Sequence, residues 1–102
     1  MNKTLIAKVV KIAETLGFKK QVDQLFEEMA ELIVAINKYK RYGKMQYKKR
    51  RADVITEIAD VYVMLAQMEH FFNCRDEVQK EVEYKIDRTM RRIEKSGTNN
   101  EV

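Results

Sequence analysis

The sequence predicts an all-α protein, a four-helix bundle, from its composition, its hydrophobic periodicity and its length. The 102 residues include no proline and only three glycines, a composition that favours long helices over a turn-rich β fold. Apolar residues recur at helical spacing along most of the chain. A chain of this length builds one domain, so we expect the helices to pack against one another.

Four helices account for most of the chain. Their predicted bounds are approximately residues 4–16, 20–41, 52–72 and 77–95. Thr4 can cap the beginning of the first helix, and Gly17 can end it in the left-handed conformation. Asn73 and Asp76 are residue types that cap helices, and both lie just before the predicted fourth helix.

A basic segment, residues 38–51, is predicted to form a loop between the second and third helices, with Gly43 as its break. Gly97 follows the last helical stretch and is predicted to end it. We therefore expect a single helical domain, residues 1–96, followed by a flexible tail, residues 97–102.

Net charge and cysteine content suggest the compartment and the class of ligand. The formal net charge is +4, which suits a polyanionic ligand and equally suits a solvated basic surface. A single cysteine, Cys74, cannot form an internal disulfide and fits a reducing compartment. The chain begins without the long apolar run of a signal peptide or membrane span, so we expect a cytoplasmic protein that has no membrane partner.

Three glutamates lie beside the apolar stripe of the second helix. On a helical wheel, Glu28 lies about 60° from Leu25, and Glu31 and Glu27 follow on the same flank. Glu28 and Glu31 are at i, i+3 spacing, where like charges repel. The stretch therefore concentrates negative charge next to residues that are expected to be buried.

The third helix repeats this pattern. Glu57 falls within the apolar arc, about 20° from both Met64 and Met68, and Asp60 lies about 60° away at its edge. Burying an ionised carboxylate without a partner lowers the folding stability by roughly several kcal/mol. Glu57 therefore needs a cation, a hydrogen-bond network or a proton.

A divalent metal would resolve the repulsion, because these parts of the two helices contain few cations. Oxygen ligands without His or Cys favour Mg²⁺ or Mn²⁺. Two interpretations without a metal remain open from the residues alone. In one, the second-helix glutamates lie on a solvated face. In the other, Glu57 lies at the edge of the core and pairs with Lys85 or Arg88 from the fourth helix.

The two acidic clusters resemble the EExxE…ExxD signature of the MazG-like, all-α nucleoside triphosphate pyrophosphohydrolases. Residues 27–31 read EEMAE, and residues 57–60 read EIAD. The resemblance implies an Mg²⁺-dependent hydrolase that cleaves a nucleoside triphosphate to the monophosphate and pyrophosphate. It implies Glu28, Glu31, Glu57 and Asp60 as metal ligands. It also implies a catalytic role for Glu27, left open between supporting the ligands and orienting water.

The resemblance also implies oligomerisation, as a homodimer or a dimer of dimers in which helices from two chains close each site. Substrate contacts are expected from the last helix, where Lys85, Arg88 and Arg92 share a face. Gln21 and Gln24 precede the acidic motif by about two turns and one turn, respectively, and are candidates for contact with the base or sugar.

The basic segment, residues 38–51, allows three interpretations: a solvated connection, an element that closes over the triphosphate, or a nucleic-acid-binding surface. The sequence favours the first and makes a nucleic acid partner the least expected. The main alternative to a nucleotide-pool enzyme is a non-catalytic helical module that binds nucleotide, or nucleic acid through residues 38–51.

Overall fold

Four helices and no strand make up residues 1–99, the part of the chain that the computed structural model describes. The helices are α1 (Lys3–Leu16), α2 (Phe18–Tyr42), α3 (Tyr47–Phe71) and α4 (Arg75–Asn99). The predicted all-α, four-helix fold class is therefore confirmed. None of the helices in residues 1–99 has an apolar stretch long enough to cross a lipid bilayer.

The ends of α1 differ in detail from the prediction. Asn2, rather than Thr4, caps the helix, because its side-chain oxygen accepts a hydrogen bond from the backbone N–H of Leu5 at 2.9 Å. Gly17 ends α1 with φ 89° and ψ 157°, so φ is positive as expected but the conformation is not left-handed helical. Other residues rarely adopt this φ, which makes glycine the suitable residue for a one-residue link into α2.

Most of the predicted loop, residues 38–51, is helical. The turn between α2 and α3 contains only residues 43–46, because lysine and arginine are good helix formers and extend both helices. Gly43 is the predicted break, and it is required for close packing. A Cβ atom at this position would lie 2.5 Å from the carbonyl oxygen of Tyr39.

The fourth helix begins earlier and ends later than predicted. Asn73 adopts a positive φ of 48° just after α3 ends, and Asp76 lies inside the first turn of α4, where a carboxylate complements the helix dipole. The helix continues through Gly97 to Asn99. A glycine in an exposed helix costs only about 1 kcal/mol and need not end it. The rest of the predicted tail, residues 100–102, lies outside the described residues.

The main packing contact is between α2 and α3, which form an antiparallel hairpin, and α1 packs across both. Within residues 1–99, α4 packs against α3 alone. The core is small, and its buried apolar residues are Val9, Ala13, Leu25, Ala35 and Met64. A buried amide pair joins it, in which Nε2 of Gln21 donates to Oε1 of Gln67 at 2.9 Å.

Much of the predicted apolar surface is not covered within one chain. On α2, Leu25 is buried, but Phe26 is 63% and Ile33 is 61% exposed. The radius of gyration is 17.6 Å, compared with about 13 Å for a compact domain of 100 residues. The elongated shape arises because α4 lacks contacts with α1 and α2 and leaves its own apolar stripe exposed.

Candidate metal centre

The hairpin of α2 and α3 brings the predicted acidic residues together through its register. Glu31 lies 12 residues before Gly43, and Glu57 lies 11 residues after Gln46. Antiparallel helices have the same rise per residue, so these two positions are level across the hairpin. Carboxylate oxygens of Glu28, Glu31 and Glu57 lie within 4.8 Å of one another, as a shared metal site requires.

Two of these carboxylates each contain an oxygen that is shielded from solvent and has no donor. The Oε2 atoms of Glu28 and Glu57 are buried, and no hydrogen-bond donor in residues 1–99 reaches them. Burial of a carboxylate oxygen is unfavourable unless a proton, a donor or a cation compensates for the lost water. The structure therefore contains the unfavourable burial of carboxylate oxygens that the sequence predicts, since no side chain in the described residues donates a hydrogen bond to these two atoms.

Electrostatics within the cluster are dominated by repulsion. Desolvation is the main cause that raises the pKa of Glu57, and the charges of Glu31, Asp60 and Glu28 raise it further. Desolvation also raises the pKa of Glu28, with added repulsion from Asp60 and Glu31. A cation bound between these groups would remove both effects.

Gln24 and Asp60 complete the surroundings of Glu28. The Nε2 atom of Gln24 donates to Oε1 of Glu28 at 2.7 Å, which fixes that carboxylate and favours its ionised form. The charge of Asp60 also raises the pKa of Glu28. Asp60 is not among the three residues whose carboxylate oxygens lie within 4.8 Å of one another, so its role as a ligand stays a prediction.

A groove of about 350 Å³ runs beside the carboxylates between α2 and α3. Glu27, Glu31 and Glu57 line one part of it, and Lys38 and Asp53 line another. Lys38 and Asp53 are not among the site residues predicted from the sequence. Helical spacing could have found them, because Lys38 lies seven residues after Glu31 and Asp53 lies four residues before Glu57.

The structure does not bring the predicted phosphate-binding residues of α4 to the acidic cluster of the same chain. Lys85, Arg88 and Arg92 make no ion pair with a carboxylate in residues 1–99, and their helix contacts α3 alone. Arg88 lies over the ring of Tyr84 at 5.6 Å. The pairing of Glu57 with Lys85 or Arg88 is thus absent from the described residues.

The structure gives a different bonding partner to each of three further polar side chains, those of Gln21, Gln24 and His70. The buried Gln21 amide is bonded to Gln67, and Gln24 is bonded to Glu28, so both contact protein groups. His70 lies beyond the cluster towards the end of α3, and its Nε2 is 3.2 Å from Oε1 of Glu14 on α1.

The donor set fits a hard divalent cation. It consists of carboxylate oxygens, two of which are buried without a partner, and it contains no His or Cys. Comparison with known proteins adds no assignment: no protein-family model, curated protein or solved structure matches the chain.

Proposed function

We propose that the protein is a Mg²⁺-dependent nucleoside triphosphate pyrophosphohydrolase that acts on the nucleotide pool of the cytoplasm, with Mn²⁺ as an alternative metal. The supporting observation is the convergence of Glu28, Glu31 and Glu57, two of which bury carboxylate oxygens that have no donor in residues 1–99. The type of reaction comes from the resemblance of residues 27–31 and 57–60 to the pyrophosphohydrolase motif.

Glu28, Glu31, Glu57 and Asp60 would hold the metal. When bound, Mg²⁺ would neutralise the charge of the phosphate oxygens, which four carboxylates would otherwise repel. Gln24 keeps Glu28 oriented through the 2.7 Å hydrogen bond. The chain itself thus contributes a fixed set of ligands on two packed helices, which is the arrangement that binds metal with the least reorganisation.

The hydrolysis needs a group that orients and deprotonates water. Glu27 is exposed and lines the groove beside Glu31 and Glu57, so its carboxylate can accept the proton of the attacking water. A new bond forms between the water oxygen and the α-phosphorus, and the bond from that phosphorus to the bridging oxygen breaks. Pyrophosphate leaves, and the nucleoside monophosphate remains.

A second copy of the chain would supply what the single chain lacks. Lys85, Arg88 and Arg92 do not reach the acidic cluster of their own chain, and the apolar stripe of α4 is exposed. In a homodimer or a dimer of dimers, α4 can cover apolar surface of a neighbouring copy and bring its cations to that copy's nucleotide. This arrangement accounts for both the exposed stripe and the distant cations.

A non-catalytic helical module that binds nucleotide is the second candidate. The observation in its favour is the absence of α4 cations from the cluster within residues 1–99. Such a module would bind nucleotide with Mg²⁺ and release it unchanged.

The deciding experiment is an assay of product identity. Purified protein is incubated with Mg²⁺ and a panel of ribo- and deoxyribonucleoside triphosphates, and phosphate release is measured with and without added inorganic pyrophosphatase. We expect phosphate only when pyrophosphatase is present, no activity in excess chelator, and at least a 100-fold loss in Glu57→Gln. Glu83→Gln, at an exposed position on α4, is the matched control and should keep full activity.

Metal binding is tested separately by thermal denaturation. A ligand at 100 times its dissociation constant stabilises the folded state by about 2.7 kcal/mol. We expect Mg²⁺ or Mn²⁺ to raise the melting temperature of the wild type and of Glu83→Gln, but not of Glu57→Gln. An unchanged melting temperature in the wild type, together with hydrolysis that persists in chelator, would contradict the proposal.

A further inference from the structure

Positive charge is concentrated at the end of the hairpin formed by α2 and α3. Of the 20 lysine and arginine residues, eight lie in residues 38–51, and none of the 16 acidic residues does. This segment, here called the basic tip, therefore carries a charge of +8, whereas the rest of the chain has a net charge of −4. The basic tip is therefore the most densely basic stretch of the sequence.

The basic tip is an ordered structure built on the ends of two helices. Two guanidinium groups lie over the Tyr42 ring, with that of Arg41 at 5.8 Å and that of Arg50 at 5.4 Å from the ring centroid. The rings of Tyr39 and Tyr47 are 6.2 Å apart across the turn, so aromatic contacts join α2 to α3. Arg41, Arg50 and the three tyrosine rings are consequently positioned by contacts within the protein.

Most of this charge is not neutralised by the protein. Within residues 1–99, only Lys49 and Arg50 of the basic tip approach a carboxylate, and both approach Asp53, at 3.3 Å and 3.9 Å. The first turn of α3 contains no acidic residue. Cations at a helix N-terminus are unfavourable because they add to the positive end of the helix dipole, so this arrangement reduces folding stability and suits an anionic partner.

We propose that the basic tip binds single-stranded nucleic acid, as a function separate from the acidic centre. Clustered cations supply attraction to successive phosphates. Tyr47, which is 53% exposed, supplies a ring on which an unpaired base can stack. An anionic membrane is less well matched, since Met45, at 89% exposure, is the only aliphatic side chain in the basic tip that could enter the hydrocarbon region.

The experiment measures fluorescence anisotropy of a labelled single-stranded oligonucleotide of mixed sequence, in excess chelator so that the acidic centre cannot contribute through metal. If five cations contact phosphates, the logarithm of the association constant falls with the logarithm of salt concentration with a slope of about −3.5. This slope predicts roughly a 100-fold loss of affinity between 50 and 200 mM salt.

Charge-reversal variants locate the surface. Lys48→Glu/Arg51→Glu removes two cations without an ion pair in the described residues, and its new carboxylates complement the dipole of α3, so the protein should remain folded. Lys3→Glu/Lys8→Glu on α1 changes the net charge equally and is the matched control. We expect at least a 10-fold loss of affinity in the first variant, less than a 2-fold change in the second, and unchanged nucleotide hydrolysis in both.

Tyr47→Leu tests base stacking, and we expect several-fold weaker binding of the oligonucleotide but not of inorganic polyphosphate. Equal weakening by both charge-reversal variants would overturn the proposal. So would the absence of binding at 50 mM salt, or binding to vesicles containing phosphatidylserine but not to the oligonucleotide. Glu57→Gln should retain oligonucleotide binding, which makes this result independent of the proposed hydrolase activity.

Discussion

Glu28 on α2 and Glu57 on α3 each bury one carboxylate oxygen for which residues 1–99 provide no hydrogen-bond donor. Desolvation raises the pKa of each group, and the charge of Glu28 raises the pKa of Glu57 further. The two residues lie on adjacent helices and are brought together by packing rather than by sequence proximity. Their arrangement is costly for the metal-free protein and favourable for one that holds a cation there.

The raised pKa values predict how metal-free stability depends on pH. Both carboxyl groups bind a proton more tightly in the folded state than in the unfolded state, where the ordinary value is 4.5. Their contribution to stability is therefore fully present below pH 4.5 and is lost as the pH rises through the raised values. In chelator, we expect Glu57→Gln and the wild type to have the same melting temperature at pH 4. At pH 7 we expect the melting temperature of Glu57→Gln to be higher than that of the wild type.

The control for this prediction is Glu83→Gln, which should melt with the wild type at both pH values because the side chain is exposed. Excess Mg²⁺ at pH 7 should reverse the order, since the wild type gains a ligand that Glu57→Gln binds poorly. A difference between Glu57→Gln and wild type that stays constant from pH 4 to pH 7 would show that repulsion at Glu57 is not the cause.

Gln24 is predicted to position Glu28 for the metal. Its hydrogen bond of 2.7 Å to Oε1 of Glu28 is the only side-chain donor contact to that carboxylate in residues 1–99. Groups that orient metal ligands typically change affinity by about 10- to 100-fold when removed. We expect Gln24→Ala to raise the Mg²⁺ concentration for half-maximal activity by about 10-fold or more, with little change in the rate at saturating Mg²⁺.

Gln79→Ala on α4 is the control, because this glutamine is exposed and its helix packs against α3 alone within the described residues. If the two alanine variants require the same Mg²⁺ concentration, Gln24 has no positioning role. A loss of rate in Gln24→Ala that saturating Mg²⁺ does not restore would instead indicate direct contact with substrate.

The sequence predicts the four helices, and the helical wheels place acidic residues beside the apolar stripes, because both depend on local spacing. Glu28, Glu31, Glu57 and Asp60 are recognisable on helical wheels, and the short turn after Gly43 brings them level. The length of that turn was mispredicted, because a run of lysines and arginines suggests solvent exposure but gives no signal against a helix. Charge pattern alone therefore did not distinguish a loop from two helix ends.

Long-range contacts were beyond the reach of the sequence. Nothing in the spacing of Gln21 and Gln67 indicates that their amides meet in the core, since the pair depends on the register of the whole hairpin. The position of α4 was also unpredictable, because an apolar stripe is compatible with packing against its own chain or against another. Phe26 and Ile33 are apolar at core-like spacing and yet exposed for the same reason.

The buried Gln21–Gln67 pair gives a prediction about stability. Replacing only Gln67 by leucine leaves the Gln21 amide in the core without its acceptor, and an unsatisfied buried polar group costs about 1–3 kcal/mol. Replacing both glutamines by leucine removes both polar groups, so we expect the double variant to be close to wild type in stability or above it. Urea denaturation at constant protein concentration gives the free energy of unfolding of the wild type, the single variant and the double variant.

Gln79→Leu on the exposed surface of α4 controls for the effect of the substitution itself and should change stability by less than about 0.5 kcal/mol. Equal destabilisation of the single and double variants would mean that leucine does not fit at these positions. The hydrogen bond would then not be what the core requires.

The exposed stripe on α4 predicts self-association. Ile86 and Ile93 lie on one face of α4 at i, i+7 spacing and are 57% and 58% exposed in the single chain. Sedimentation or light scattering should give a mass at least twice that of the 12.1 kDa chain.

Ile86→Glu/Ile93→Glu should shift the measured mass towards that of one chain. It should also reduce hydrolysis, because the partner's cations would no longer reach the nucleotide. Lys80→Gln/Arg91→Gln, on the opposite face, changes the net charge equally and should retain the oligomer. A wild-type protein that remains a monomer at high concentration would require the single chain to bind nucleotide without help from α4.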